Sequence, residues 1–278
     1  AYWSEIVNGD VKLYDKLKDT DDKIFCILPF VHMLIHSSEN IRPCFAFEGD
    51  YDNLLNKIPN RKRDLQEDWN SEYYQSIITD MLNGKPIRGC RTCYRGEKNG
   101  DGTDRTSSRD QYLKILKNNP ELQDVTLDVI TGNSLGSPWE SDLRPGNLCN
   151  LQCRMCGPAS SSQLNKEYEK LGLFTFDEKL ETEWMSDDNL EFLLRHTDKG
   201  NKIKFLGGEP TLMPGVLNII DKLIEQNKTD VPLHFTSNLT NVNKNFLDRI
   251  KQFSNISISI SMDGIGNTLE YIRYPVKW

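Results

Sequence analysis

Histidine is scarce in this 278-residue chain, which holds only four. None of them (His32, His36, His196, His234) stands at finger spacing from a cysteine, so a mixed Cys/His zinc finger is excluded and they read as surface or packing residues. Long apolar runs are also missing. None approaches the roughly 20 residues that span a bilayer, and the mean hydropathy is -0.59, so a soluble chain with no membrane partner is expected. Surplus positive charge is absent as well: 41 acidic residues against 34 basic ones give a net charge of -7 and a pI near 5.3. A phosphate-neutralising surface is therefore not expected, nor nucleic acid as partner, although small basic patches are compatible with this balance. No charged-then-apolar leader is seen at the start of the sequence, so a reducing, cytoplasmic compartment where thiols stay free is expected. The length favours two domains over one. The sequence starts at Ala1 and stops at Trp278 in what reads as a helix just begun, so a fragment of a longer chain is expected.

What the chain does have is seven cysteines in two groups. An odd number without an export signal argues against a closed disulfide framework, and the spacings argue for metal. Cys149, Cys153 and Cys156 form C-x3-C-x2-C within Asn147–Gly157. Structural zinc takes four tetrahedral ligands, whereas a cubane [4Fe-4S] cluster on three cysteines leaves one iron open to a small chelating ligand. Chance proximity, or zinc with an outside fourth ligand, stays open on spacing alone. The upstream group is Cys26, Cys44, Cys90 and Cys93, with the last two as C-x2-C. Four thiolates suit zinc or a fully ligated [4Fe-4S] cluster, and ligand softness does not choose between them.

Residues 24 to 36, with a second short run ending in Cys44, suggest a hairpin carrying both cysteines. From Ser71 the pairs Tyr73/Tyr74, Ile77/Ile78 and Met81/Leu82 recur every four residues, predicting a helix with a core-packing stripe that Gly84 and Pro86 stop. The Gly, Asp, Thr and Ser content from Arg95 to Ser108 predicts a flexible loop, followed by a short helix near 108 to 118. After Pro120 strands alternate with helices, the pattern of parallel beta-alpha units. The predicted strands are Val125–Val129, Ser141–Leu148, Lys202–Leu206, Val231–Thr236 and Ile256–Ile260, with a Gly, Asn and Ser rich interruption over Thr131–Glu140. Helices are expected over Ser160–Leu171, after Pro214 with Leu217, Ile220 and Ile224 on the apolar face, and with Phe246, Ile250 and Phe253 on one side. Polar motifs sit at the C-terminal ends of these strands, where parallel barrels and open sheets place ligands. The fold class is therefore α/β.

The series C-x3-C-x2-C, Gly207-Gly208-Glu209-Pro210, Thr236-Ser237-Asn238 and Ser261-Met262-Asp263-Gly264 resembles the radical S-adenosylmethionine (SAM) superfamily in order, spacing and strand position. The upstream segment, with Cys26 followed by Pro29, Pro43-Cys44, the helix after Asn70-Ser71 and Gly84-Lys85-Pro86 leading to Cys90-x-x-Cys93-Tyr94, is similar to the twitch or SPASM auxiliary-cluster domains. The resemblance implies a twitch-like α+β domain over residues 1–118 and, over 119–278, part of a (β/α)6 barrel with about four of its units present and one side of the sheet exposed.

That resemblance implies a catalytic [4Fe-4S] cluster on Cys149, Cys153 and Cys156, its open iron chelated by SAM. Reductive cleavage of SAM would give methionine and a 5'-deoxyadenosyl radical that abstracts hydrogen from substrate. Gly207 and Gly208 permit close backbone approach to a ligand, Glu209 accepts from the SAM ammonium, and Pro210, Ser237, Asn238 and Ser261 complete the contacts. Asp263 is either such a contact or a helix cap. The residue between the second and third cysteines, often aromatic in this superfamily, is Met155, which leaves adenine packing to a thioether. Arg273 either reaches a carboxylate or is solvated. The upstream thiols would hold a second, fully ligated [4Fe-4S] cluster for electron relay or substrate docking. A peptide or protein substrate leads, a small metabolite or a non-catalytic iron-sulfur or zinc protein are the alternatives, and flavodoxin or ferredoxin is the expected electron donor.

Overall fold

The computed structural model describes residues 24–36, 41–48, 64–118, 136–173, 185–195 and 202–278. The predicted strand at Val125–Val129, the first half of the interruption after it, and His196 lie outside them. By contact the chain forms two compact units, residues 1–34 with 38–140 and residues 35–37 with 141–278.

The first unit opens on one helical turn, α1 (Leu28–Val31), with Pro29 in its first turn, where a fixed φ and a missing N–H are both tolerated. Strand β1 (His32–His36) follows directly, and Leu34 bridges antiparallel to Arg42. Of the expected hairpin the described residues show this single bridge and no second strand; Cys26 precedes the helical turn and Cys44 lies just past the bridge, so neither cysteine is on a strand. Helix α2 (Leu65–Trp69) begins where Asp64 accepts from the Glu67 amide at 2.9 Å. Helix α3 (Glu72–Leu82) is capped by Ser71, whose hydroxyl accepts from the Tyr74 amide at 3.3 Å. It buries Tyr74, Ile77, Ile78 and Met81, as its four-residue periodicity requires. Gly84, at φ 67°, turns the chain away. A 3-10 turn, Arg88–Cys90, then runs into α4 (Arg91–Lys98), and α5 (Asp104–Asn118) follows.

The loop expected over 95 to 108 is therefore mostly helical. Only residues 99–103 break the helices, because the polar side chains there bond locally: the Thr103 amide donates to Thr106 Oγ1 at 3.1 Å, and Thr103 Oγ1 donates to Glu97 at 2.7 Å. Composition signalled a loop where side chains in fact staple two helices together.

The second unit contains β2 (Glu140–Arg144), a two-residue β3 (Gln152–Cys153), α6 (Ser162–Lys170), α7 (Asp187–Leu193), β4 (Lys202–Phe205), α8 (Pro214–Glu225), β5 (Leu233–Ser237), α9 (Lys244–Ile250), β6 (Ile256–Ile260), α10 (Asn267–Ile272) and β7 (Arg273–Tyr274). The main sheet has the order β1-β2-β4-β5-β6, and β3 pairs antiparallel with β7. The β4-β5 and β5-β6 pairs are parallel, with Phe205 level with Phe235 and Phe235 level with Ile258. The expected strand 141–148 stops at Arg144, since Pro145 and Gly146 cannot extend it. Each of β4, β5 and β6 ends where its polar motif begins, so four beta-alpha units are in place, built on β2, β4, β5 and β6. Ile258 and Ile260 on the edge strand β6 are 40% and 56% exposed.

Helix α8 buries Val216, Ile219, Ile220 and Leu223, while the predicted Leu217 and Ile224 are half-buried. Apolar residues around most of the helix leave its rotation to the sheet it covers. Helix α9 and its C-terminal turn bury Phe246, Ile250 and Phe253 as expected. At the centre, Phe235 stacks on Phe205 at 5.1 Å and meets Phe246 edge-on at 5.2 Å. Phe235→Ala should cost about 3–5 kcal/mol, seen as a lowered midpoint in chemical denaturation of this unit; an unchanged midpoint would mean that the ring cluster carries no stability.

Candidate metal centre

The cysteine loop leaves β2 through Pro145 and Gly146 and is closed on itself by the start of α6. Fully buried Asn147 donates from Nδ2 to the Pro158 carbonyl at 2.7 Å and accepts at its own carbonyl from the Ser162 amide at 2.8 Å. Ser162 Oγ accepts from the Cys149 amide at 3.2 Å, and Ser161 Oγ donates to the Leu151 carbonyl at 2.6 Å. Ser161 also caps α6. Two adjacent hydroxyls thus pin both flanks of Cys149.

Two of the three sulfurs meet N–H donors. The Leu151 amide lies 3.5 Å from Cys149 Sγ, Asn238 Nδ2 4.0 Å from the same sulfur, and Arg273 Nη1 3.7 Å from Cys153 Sγ. Burial raises the Cys149 pKa. Cys153 and Cys156 share a hydrogen bond, which holds the proton on Cys153 and pulls Cys156 down to about 7. Amide, carboxamide and guanidinium donors around sulfur stabilise thiolates, the form a metal needs.

The Gly-Gly-Glu-Pro turn after β4 packs directly on this loop. Gly208 N donates to the Gly146 carbonyl at 3.2 Å and Glu209 N to the Leu148 carbonyl at 2.8 Å. Gly207 sits at φ 113°. A Cβ on Gly208 would lie 2.2 Å from Leu148 O, and one on Gly207 2.7 Å from Gly146 O. The close approach these glycines allow is to the cysteine loop's own carbonyls. Glu209 is 1% exposed. Its Oε1 accepts from the Thr211 amide, Thr211 Oγ1 and Ser237 Oγ at 3.2, 2.7 and 2.6 Å, and its Oε2 from the Asn238 amide at 2.8 Å. The carboxylate therefore ties the end of β4 to the end of β5. Asn238 carries the tie onward: Nδ2 donates to Asn150 Oδ1 at 3.1 Å, while Asn150 Nδ2 donates to Thr240 Oγ1 at 2.8 Å.

Pro210 is buried in the 3-10 turn. Ser261 is half-buried just past β6, its amide donating to the Ser237 carbonyl at 2.8 Å. Asp263 is no helix cap, since α10 is capped by Gly266 without a side-chain bond; it accepts from Arg273 Nε. Arg273 is correspondingly only 15% exposed in its side chain, so the solvated alternative does not hold. Met155 is 56% exposed at the tip of the cysteine loop.

In the first unit, Cys26, Cys44, Cys90 and Cys93 line one small cavity together with Phe47 and Arg105. Burial pushes the Cys26 thiol well up, and the other three cysteines push it the same way. Burial and Cys93 raise Cys90 to about 11, against a hydrogen bond from Tyr94 and the charge of Arg105. Phe47 lies against Gly89, where a Cβ would fall 2.3 Å from the ring, and the Glu48 amide donates to the Gly89 carbonyl at 2.8 Å. The Cys44 segment is thereby held to the turn bearing Cys90. Among the described residues, no three His, Cys, Asp or Glu side chains form a ready cage for a single metal ion; the fit of both cysteine groups rests on donor chemistry.

Residues 143–277 match the family model of the Radical SAM superfamily. This part of the chain belongs to that superfamily. Two curated relatives, the GTP 3',8-cyclases of Helicobacter pylori strains HPAG1 and ATCC 700392 / 26695, are each 33% identical over 145 residues, which covers 46% of this chain and 40% of each relative. The chain thus spans about 40% of the length of the curated relatives it matches. Among solved structures, Streptococcus suis SuiB bound to precursor peptide SuiA aligns at a TM-score of 0.38 and 15% identity over 69% of this chain and 42% of that one; SuiB bound to S-adenosylmethionine aligns at 0.37 and 16% over 74% and 40%.

Within the radical SAM unit, sequence reasoning overlooked Asn150, Ser161, Ser162 and Thr240, which had no motif of their own. The serines carried one available signal: hydroxyls just ahead of a helix are natural caps. The glycine contact gives a direct test. Gly208→Ala should lower iron bound at Cys149, Cys153 and Cys156 several-fold after anaerobic reconstitution, while Gly157→Ala, whose Cβ meets nothing within 4 Å, should bind as wild type. Equal iron in both variants would show that the turn does not shape the loop.

Proposed function

We propose that the chain is the iron-sulfur and cofactor-binding part of a radical SAM enzyme. The observation that carries this is the trio Cys149, Cys153 and Cys156, its loop pinned around Cys149 by Ser161 and Ser162, with N–H donors at Cys149 and Cys153, and contained in the matched region. With a [4Fe-4S] cluster on that trio and SAM at its open iron, the bound group supplies a 5'-deoxyadenosyl radical for hydrogen abstraction from substrate. The protein's own part is to hold, orient and neutralise. Arg273 sets a cation beside Cys153 Sγ, and Asp263 orients that cation. Glu209 keeps a lone pair on Oε2 beyond its bond from Asn238, able to accept from an ammonium. Gly207, Gly208, Pro210, Ser237, Asn238 and Ser261 frame the same end of the sheet, and exposed Met155 offers its thioether to an aromatic base.

The twitch-like reading of residues 1–118 and a second [4Fe-4S] cluster on Cys26, Cys44, Cys90 and Cys93 are supported by the four thiols facing one cavity beside a buried cation, with zinc as the competing occupant. Such a site suits relay of an electron from a flavodoxin or ferredoxin. A peptide or protein substrate is favoured by the auxiliary-type unit. Action on a small metabolite is the second reading, favoured by the 33% identity to enzymes named GTP 3',8-cyclase. Cytoplasmic location accords with seven cysteines outside any disulfide. Among the described residues no helix is long and apolar enough to cross a membrane.

Oxygen-free protein reconstituted with iron and sulfide should give reductant-dependent 5'-deoxyadenosine from SAM. The Cys149, Cys153, Cys156 triple alanine variant should give none, losing about four irons per chain and keeping about four. Zinc alone at the trio would overturn the assignment.

A further inference from the structure

The upstream cavity has a wall that the cysteine pattern does not account for. Arg105, near the start of α5, has a side chain only 8% exposed and lines the cavity with the four thiols. Its Nη1 donates to the carbonyl of Phe25, the residue before Cys26, at 2.9 Å. Its Nε donates to Glu97 Oε1 at 2.8 Å, and its Nη2 pairs with Glu97 Oε2. Glu97 lies on α4, one turn beyond Cys93, and does not line the cavity. Through its bonds to Phe25 and Glu97, Arg105 joins two cysteine-bearing segments far apart in sequence, and the ion pair is polarised, with its positive end toward the sulfurs and its negative end away. A buried cation needs a compensating anion, and Glu97 supplies one without standing between the guanidinium and the thiols.

We propose that Arg105 is a positioning residue that sets the reduction potential of the iron-sulfur cluster held by Cys26, Cys44, Cys90 and Cys93, with Glu97 attenuating it. This rests on the reading of that site as a [4Fe-4S] cluster. Taking up one electron from an external reductant makes or breaks no bond and adds one negative charge to an anionic group, so a fixed nearby cation favours the reduced form. Neutralising either end of the pair has opposite consequences: loss of the cation lowers the potential, and loss of the carboxylate raises it. A merely structural ion pair predicts no such opposition, because breaking it from either side loosens the same contact.

The measurement is a potentiometric titration followed by electron paramagnetic resonance, in the Cys149, Cys153, Cys156 triple alanine background so that only the upstream cluster reports. Arg105→Gln should shift the midpoint to more negative potential, Glu97→Gln to more positive, and Arg105→Lys should stay near the parent, with iron content per chain preserved in Glu97→Gln and Arg105→Lys. Should Arg105→Gln fail to fold, the sign of the Glu97→Gln shift decides by itself. Midpoints that do not move, or that move together, overturn the role of Arg105 while leaving the cluster in place. A folded triple variant that holds zinc, or no iron, overturns the cluster reading and this inference with it.

Discussion

The carbonyls of Asn147 and Leu148 occupy the space where a side chain at residue 208 would begin. Because Gly208 has none, the turn after β4 lies on the cysteine loop with two backbone hydrogen bonds, and Glu209 is drawn into a buried position where it accepts from both Thr211 and the Ser237-Asn238 end of β5. Three motifs far apart in sequence become one body. The sulfur of Cys149 then lies within reach of Asn238, and the loop carrying Cys153 pairs through β3 with β7, which brings Arg273 to Cys153. Without the glycine the turn after β4 could not lie on the cysteine loop.

Much of this was legible from local chemistry. The helix from Glu72 announced itself by its four-residue stripe, and β4, β5 and β6 by short apolar runs ending in polar motifs. The three-cysteine spacing marked the downstream centre without help from the fold. Less legible was anything set by distant partners. Arg273 and Cys153 are 120 residues apart, and nothing in the sequence near Arg273 says that it meets sulfur rather than water. The rotation of α8 was ambiguous because apolar side chains lie on most of its circumference. Residues 95 to 108 had the composition of a loop, yet Thr103, Thr106, Glu97 and Arg105 bond to one another and leave only a tight connection between α4 and α5.

The two cysteine groups handle their charge differently. In the radical SAM unit the sulfurs meet a backbone amide, a carboxamide and an arginine that is itself held by Asp263, so the donors come from three separate segments. In the first unit four thiols face one cavity, and the buried cation there is held by a glutamate behind it. Both arrangements keep an anionic sulfur cage tolerable inside a protein of net charge -7, since it is the local field and not the overall charge that a buried sulfur feels.

The paired hydroxyls of Ser161 and Ser162 bear on how such a centre is assembled. They bind the backbone on either side of Cys149 without touching a sulfur, so the contour of the loop is drawn by the polypeptide's own hydrogen bonds. Ordering a flexible segment costs roughly 1–2 kcal/mol for each residue fixed. A loop moulded by its neighbouring helix meets part of that cost through these bonds, so the helix start and the cysteine spacing act on the centre together.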